Sequence, residues 1–282
     1  MGLVGTILSL PYVVLFFALW ILHSLARPVF YASIVCLLLN PFNAQRKLML
    51  FFNAIHYMAK CNDKKWVEPD PHVFSVVNKV ERKTIVFFRH GESLWNETFN
   101  KGDRTKFQFY LHFLPGAIKA IFFEWFFLVT GQASSSWFYD SPLSDKGKRQ
   151  AEGVREFLRQ DLQYSTPKEA RYIRLLLGDP PDGEEEKKES DEDAPRGASS
   201  QLVCSNLRRA ISTMAIGLKD RLDRRLEDDN ILIFSELQEI SFNPDALCIT
   251  PAKGKLECTH TDPTYLKPIF DNRVDISIHT GE

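Results

Sequence analysis

Apolar residues dominate the start of the chain without interruption. Residues 3–26 contain no Asp, Glu, Lys or Arg and are rich in Leu, Val, Phe and Ile. That length predicts a transmembrane helix. Pro11 within it is tolerable in a bilayer, and Trp20 and His23 stand toward the far end, where interfacial residues gather. A second apolar run, 29–39, follows Arg27-Pro28 and is too short to span, which suits a re-entrant or interfacial segment. A cleaved signal peptide fits less well, because the leading residues carry no positive charge and the apolar stretch is long. Residues 1–40 therefore read as a membrane anchor and 41–80 as a juxtamembrane linker.

From residue 81 onward the pattern becomes that of a folded domain. Thr84 to Phe88 form a short apolar run with the length and β-branched content of a buried strand. Ala151, Val154 and Leu158 lie at helical spacing behind Ser144, a candidate N-cap. Leu202-Val203-Cys204 reads as a short strand. Leu207, Ala210, Ile211, Met214, Leu218 and Leu222 then make one apolar stripe at helical spacing. Residues 231–234 read as a third strand. Between Ile240 and Arg273 the prolines Pro244, Pro251, Pro263 and Pro268, with Gly254, predict irregular connection and no amphipathic helix. Residues 274–278 suit a further strand. Strands alternating with helices predict an α/β fold with a mostly parallel sheet and helices on both faces.

Two stretches interrupt this order. Residues 107–130 are crowded with aromatics and broken by Lys119 and Glu124. They suit either an interfacial helix on the same bilayer or a helical cap that buries its aromatics on the domain. Residues 181–200 are charged, lack apolar anchors and read as a disordered acidic loop.

Charge and cysteine usage narrow the classes. The net charge of −1 over 282 residues argues against a nucleic-acid partner held by bulk electrostatics. Cys36, Cys61, Cys204, Cys248 and Cys258 show neither a metal-ligand spacing nor a disulfide framework, which suits a reducing compartment. Arg27, Arg46, Lys47, Lys60, Lys64 and Lys65 all follow the first apolar run, so the positive-inside rule puts the domain in the cytoplasm.

The chemistry gathers at Arg89-His90-Gly91-Glu92, just after the run 84–88, with Asn96 following. A guanidinium can chelate a phosphate through its planar fork, and an imidazole can act as nucleophile or base. This run resembles the signature of the histidine phosphatase superfamily, the phosphoglycerate-mutase-like proteins. Ser141-Pro142-Leu143-Ser144-Asp145-Lys146-Gly147 resembles that family's Leu-Ser-x-x-Gly helix start. Leu207-Arg208-Arg209-Ala210 resembles its second phosphate-binding segment, which maps the second arginine to Arg209. The resemblance implies a three-layer sandwich. It also implies His90 as nucleophile, phosphate contacts from Arg89, Arg209 and Asn96, and no metal or organic cofactor. Glu239, after Leu237, maps to the family's proton shuttle, with Glu236 as the competing carboxylate; that role needs a carboxyl group with a raised pKa.

The family's second histidine lacks a clear counterpart. His279 follows the run 274–278, but the stretch from Glu239 is too short for the helix expected before it, and Glu282 ends the sequence at once. The domain is therefore expected to stop short of the true partner. Two functions follow: a membrane-anchored phosphomonoester hydrolase working through phospho-His90, or an inactive, incomplete phosphatase-like membrane protein that keeps the pocket to bind phosphate groups or partners. A mutase suits the chain less, because the aromatic stretch intervenes soon after Trp95-Asn96.

Overall fold

The computed structural model describes residues 19–21, 23–24, 26–35, 37–60, 83–132, 135–160, 166–179, 200–224, 229–239, 243–250 and 253–280. The described chain is mostly helical around a small parallel sheet. In order, the principal elements are α1 (Leu19–Leu39), α2 (Pro41–Lys60), α3 (Leu94–Phe99), α4 (Lys106–Thr130), α5 (Asp145–Gln160) and α6 (Pro167–Leu177). They continue with β1 (Leu202–Cys204), α7 (Arg208–Gly217), α8 (Lys219–Asp223), β2 (Ile231–Ile233), α9 (Lys267–Asn272) and β3 (Val274–Asp275).

The three strands lie in the order β1-β2-β3 and are all parallel, with Leu202 beside Ile231 and Ile231 beside Val274. Parallel neighbours need a crossover. α7 and α8 supply the first, and α9 belongs to the second. The strands are three, three and two residues long, so the sheet depends on its covering helices. α7 is buried along its whole length and packs on α5, joining Ile211, Ala215, Ile216, Ala151 and Leu158 to the strand residues Ile231 and Ile233 in one core.

Several local signals form as the sequence predicts. Ser144 caps α5, its Oγ accepting from Gly147 N at 3.1 Å. β1, β2 and the apolar stripe of α7 and α8 occupy the expected registers. The parallel sheet is present, whereas a sandwich of three full layers is not evident among the described residues.

Four expectations need correction. Residues 84–88 are extended but make no ladder among the described residues; Ile85 is 74% and Phe87 81% exposed, while Phe88 leans on the core. Only Phe88 of the run is partly covered; Thr84 to Phe87 are all exposed. Residues 41–60, expected as linker, are helical. Asn40 Oδ1 accepts from Asn43 N at 3.4 Å and Pro41 stands at the first helical position, where its missing N–H costs nothing. The short run 29–39 is not a separate segment but the second half of α1, because Arg27-Pro28 does not break that helix. Finally, α9 breaks the expected irregular stretch, with Pro268 inside its first turn and Ile269 and Phe270 buried; the strand after it is only Val274–Asp275. Most of the proposed span 3–26, the end of the proposed linker and nearly all of the acidic loop 181–200 lie outside the described residues.

Candidate active site

The segment bearing His90 is held against α5 by backbone. Glu92 O accepts from Ser144 N, and Leu94 N donates to Pro142 O, both at 2.9 Å, around an isolated bridge between Ser93 and Leu143. This contact explains two glycines. A Cβ on Gly91 would lie 2.5 Å from Gly147 O, and one on Gly147 would lie 2.1 Å from Glu92 O. Both distances are far inside van der Waals contact, and both neighbours are backbone. The glycine of Arg-His-Gly and the glycine of the α5 start are thus two halves of one close crossing. Gly91 N donates to Thr213 Oγ1 at 3.0 Å, which fixes the loop to α7 as well.

That crossing sets His90 beside the buried start of α7. His90 Nδ1 lies 2.7 Å from Gly91 O. A carbonyl only accepts, so Nδ1 carries the proton and Nε2 presents a lone pair. Arg209 Nε donates to that Nε2 at 3.3 Å across 119 residues of sequence. Arg209 is 1% exposed. Its other nitrogens donate to Glu239 Oε2 at 2.7 Å and to the Asp245 carbonyl at 2.6 Å, with the Asp245 carboxylate 3.5 Å away. Glu239 Oε2 is also 3.5 Å from His90 Nε2. His90, Arg209 and Glu239 therefore converge on one point, at the end of β2 and the N-terminus of α7, where the peptide dipole favours an anion.

Arg89 and Asn96 are placed differently. Arg89 is exposed and makes no hydrogen bond or ion pair among the described residues. Asn96 lies in the first turn of α3, its N–H on Ser93 Oγ at 3.1 Å and its Oδ1 accepting from Asn100 at 2.6 Å. Glu236 is exposed in the turn after β2. His279 is 1% exposed; the Ser235 hydroxyl meets its Nδ1 at 2.9 Å, and burial lowers its pKa.

The charge state of Glu239 differs from the one proton transfer requires. The Arg209 guanidinium holds its carboxyl well below the ordinary carboxylate range. His90 Nε2 accepts from Arg209 and has no proton to give Glu239, so the 2.7 Å guanidinium contact is what holds the carboxylate ionised. Glu239 is thus an anion paired with the buried Arg209 guanidinium beside His90. No family model, no curated protein and no solved structure matches the chain. The site's chemistry is therefore argued from its own atoms.

Two neighbours escaped the sequence reading. Asp245 is buried, and that burial pushes its carboxyl up while the Arg209 guanidinium pulls it down. It lies in a proline-punctuated turn, which gave no periodic signal. Arg208 is equally buried and serves the scaffold. Its N–H meets Asp140 Oδ1 at 2.8 Å, and its guanidinium donates to the carbonyls of Ser136, Tyr139 and Asp140. Adjacent arginines therefore divide the work, Arg208 fastening the start of α7 and Arg209 facing the site. No group of three or more His, Cys, Asp or Glu able to hold a metal occurs among the described residues.

Proposed function

We propose that the chain is a membrane-associated phosphomonoester hydrolase of the histidine phosphatase type, working through a phosphohistidine on His90 within a three-layer α/β domain that faces the cytoplasm. The observation that supports it most is the meeting of an unprotonated imidazole nitrogen, a buried guanidinium and a carboxylate, drawn from segments far apart in sequence.

In this reading His90 Nε2 attacks phosphorus, a P–N bond forms, and the P–O bond to the leaving alcohol breaks. Glu239 gives that oxygen its proton. In the second half a water attacks phosphorus, Glu239 takes its proton, and the P–N bond breaks to free His90 and inorganic phosphate. Arg209 carries the phosphoryl charge throughout, and Arg89, exposed beside the nucleophile, closes on it from solvent. An arriving phosphate dianion takes Arg209 from Glu239. That removes the contact holding the carboxylate low and sets a negative neighbour beside it; both changes raise its pKa toward what an acid needs. Substrate binding therefore arms the proton donor.

The second reading, a phosphate-binding membrane protein without turnover, is favoured by the placement of His279. Its ring is engaged by Ser235, and the Thr250 backbone also bonds it, so it is committed to the core. Vanadate, a phosphoryl mimic, serves both readings through Arg209. The test is vanadate binding by calorimetry together with hydrolysis of a soluble phosphomonoester. Hydrolysis that Arg209→Gln abolishes together with vanadate binding supports the enzyme, and binding without hydrolysis supports the second reading. Unchanged binding by Arg209→Gln contradicts both.

A further inference from the structure

α4 has two unlike faces. Its inward face meets the domain through Ala120, Phe123, Glu124 and Phe127. Phe123 stacks on Trp137 with ring centroids 4.7 Å apart, and Phe127 lies 4.8 Å from the His260 ring. Both charged residues of its interior turn to this side. Lys119 Nζ stands 5.4 Å from the Trp137 ring centroid, while Glu124 accepts from Ser136 Oγ at 2.7 Å and Trp137 N at 2.6 Å and pairs with Lys47. Beyond Lys106 at its start, the outward face has no Asp, Glu, Lys or Arg. Tyr110 is 70%, Leu114 63%, Ile118 59% and Phe122 61% exposed on it. So many large apolar side chains on one face exceed what a soluble surface leaves to water.

We propose that this outward face of α4 lies along the surface of a lipid bilayer, as a second membrane contact beside α1. Three observations identify the occupant. α4 is long and apolar enough to cross a membrane, and so is α1, none of whose hydrophobic window is buried. The two helices meet the same short segment: a Cβ on Gly131, at the C-terminal end of α4, would lie 3.7 Å from Asn43 Nδ2 and 3.9 Å from Asn40 Nδ2, immediately after α1. α2 exposes further large apolar side chains, Leu48, Met49 and Phe52. α4 lies along the bilayer and does not cross it, because its inward face is hydrogen-bonded and stacked onto the 135–138 loop and His260, groups with no place among acyl chains. Glu124 in turn holds Ser136 and Trp137, and Ser136 and Tyr139 hold Arg208, so the docked helix and the start of α7 are joined by one hydrogen-bonded loop.

The test reads contact with lipid and no activity, so it stands or falls apart from the phosphohydrolase reading. The photoreactive residue p-benzoylphenylalanine is placed singly at Leu114, Ile118, Phe122, Phe123 or Phe157 of the whole chain, which is then irradiated in phosphatidylcholine vesicles. Mass spectrometry counts lipid adducts. The expected result is at least a tenfold greater yield at Leu114, Ile118 and Phe122 than at Phe123, on the inward face, or at Phe157, which is 53% exposed on α5. Equal yields at Ile118 and Phe123 would mean a helix surrounded by lipid and would overturn the proposal. Adducts to a second protein chain in place of lipid would overturn it too, as would yields at Leu114, Ile118 and Phe122 no higher than at Phe157.

Discussion

In the proposed mechanism the Glu239 carboxylate occupies, in the free protein, the ground the phosphoryl group would take. The proposed mechanism needs that group protonated when the leaving oxygen departs, yet the 2.7 Å Arg209 contact keeps it ionised, below the ordinary carboxylate range. Its folded-state pKa is depressed below the ordinary value of about 4.3. It therefore contributes stability that is fully present above that value and is lost as pH falls through the depressed folded-state value. Because its side chain is 45% exposed, solvent screens much of this contribution. We expect Glu239→Gln to be less stable than the wild type near pH 6 and to approach it near pH 2.5 in urea denaturation. A gap that widens toward acid would show that Glu239 is not held low. The same variant should lower hydrolysis by about 10²–10⁴-fold, the usual contribution of a positioned proton donor. His90 stood out because it ends an apolar run, whereas Arg209 and Glu239 were mapped only by the resemblance to the histidine phosphatase pattern. Asp245 was invisible because a buried carboxylate in irregular chain has no period to betray it.

At the scale of elements, the crossing of residues 91–92 over the start of α5 sets the position of His90. Its most demanding member is Gly147, which contacts no reacting atom. Gly147→Ala puts a methyl carbon 2.1 Å from Glu92 O, so the strap or the helix must shift. Overpacking of this kind costs about 1–3 kcal/mol, and a displacement near 1 Å at a nucleophile costs about 10²-fold in rate. We expect Gly147→Ala to fold with a lowered Tm and to lose activity by about that factor, whereas Gly153→Ala, on the same helix with open space around it, should change neither. Unaltered activity in Gly147→Ala would separate the crossing from the site. β1, β2, α5 and α7 were legible because their caps and apolar spacing are local. The state of residues 84–88 was not, since an apolar run specifies a preference for extended chain but not a partner strand. α2 carried an Asn-Pro start that the polar look of its first turns concealed. α9 was hidden by Pro268, which ends a helix elsewhere but opens one in its first turn.

The whole molecule joins an apolar helical surface to a small parallel α/β core. α1, none of whose hydrophobic window is buried, and α4 are each long and apolar enough to cross a membrane. Composition and length supported membrane association directly, but sequence alone left open how α4 divides between its two sides; only packing shows that Lys119 and Glu124 turn inward. The chain should sediment with membranes and resist alkaline carbonate, and removal of residues 1–40 should weaken that attachment markedly. Complete extraction of the intact chain by carbonate would show that its first apolar segment does not span. Protease added to vesicles with their cytoplasmic face outward should digest the domain; protection would reverse the orientation proposed from Arg27, Arg46 and Lys47.

The central claim is that His90 Nε2 becomes covalently phosphorylated. The most direct measurement is brief incubation of the whole chain with a ³²P-labelled phosphomonoester, an alkaline quench that preserves phosphohistidine, and mapping of the label by mass spectrometry. Label on His90, absent from His90→Ala and strongly reduced in Arg209→Gln, is the predicted result. Label that persists undiminished in His90→Ala, or no label on His90 although hydrolysis proceeds, would contradict the account.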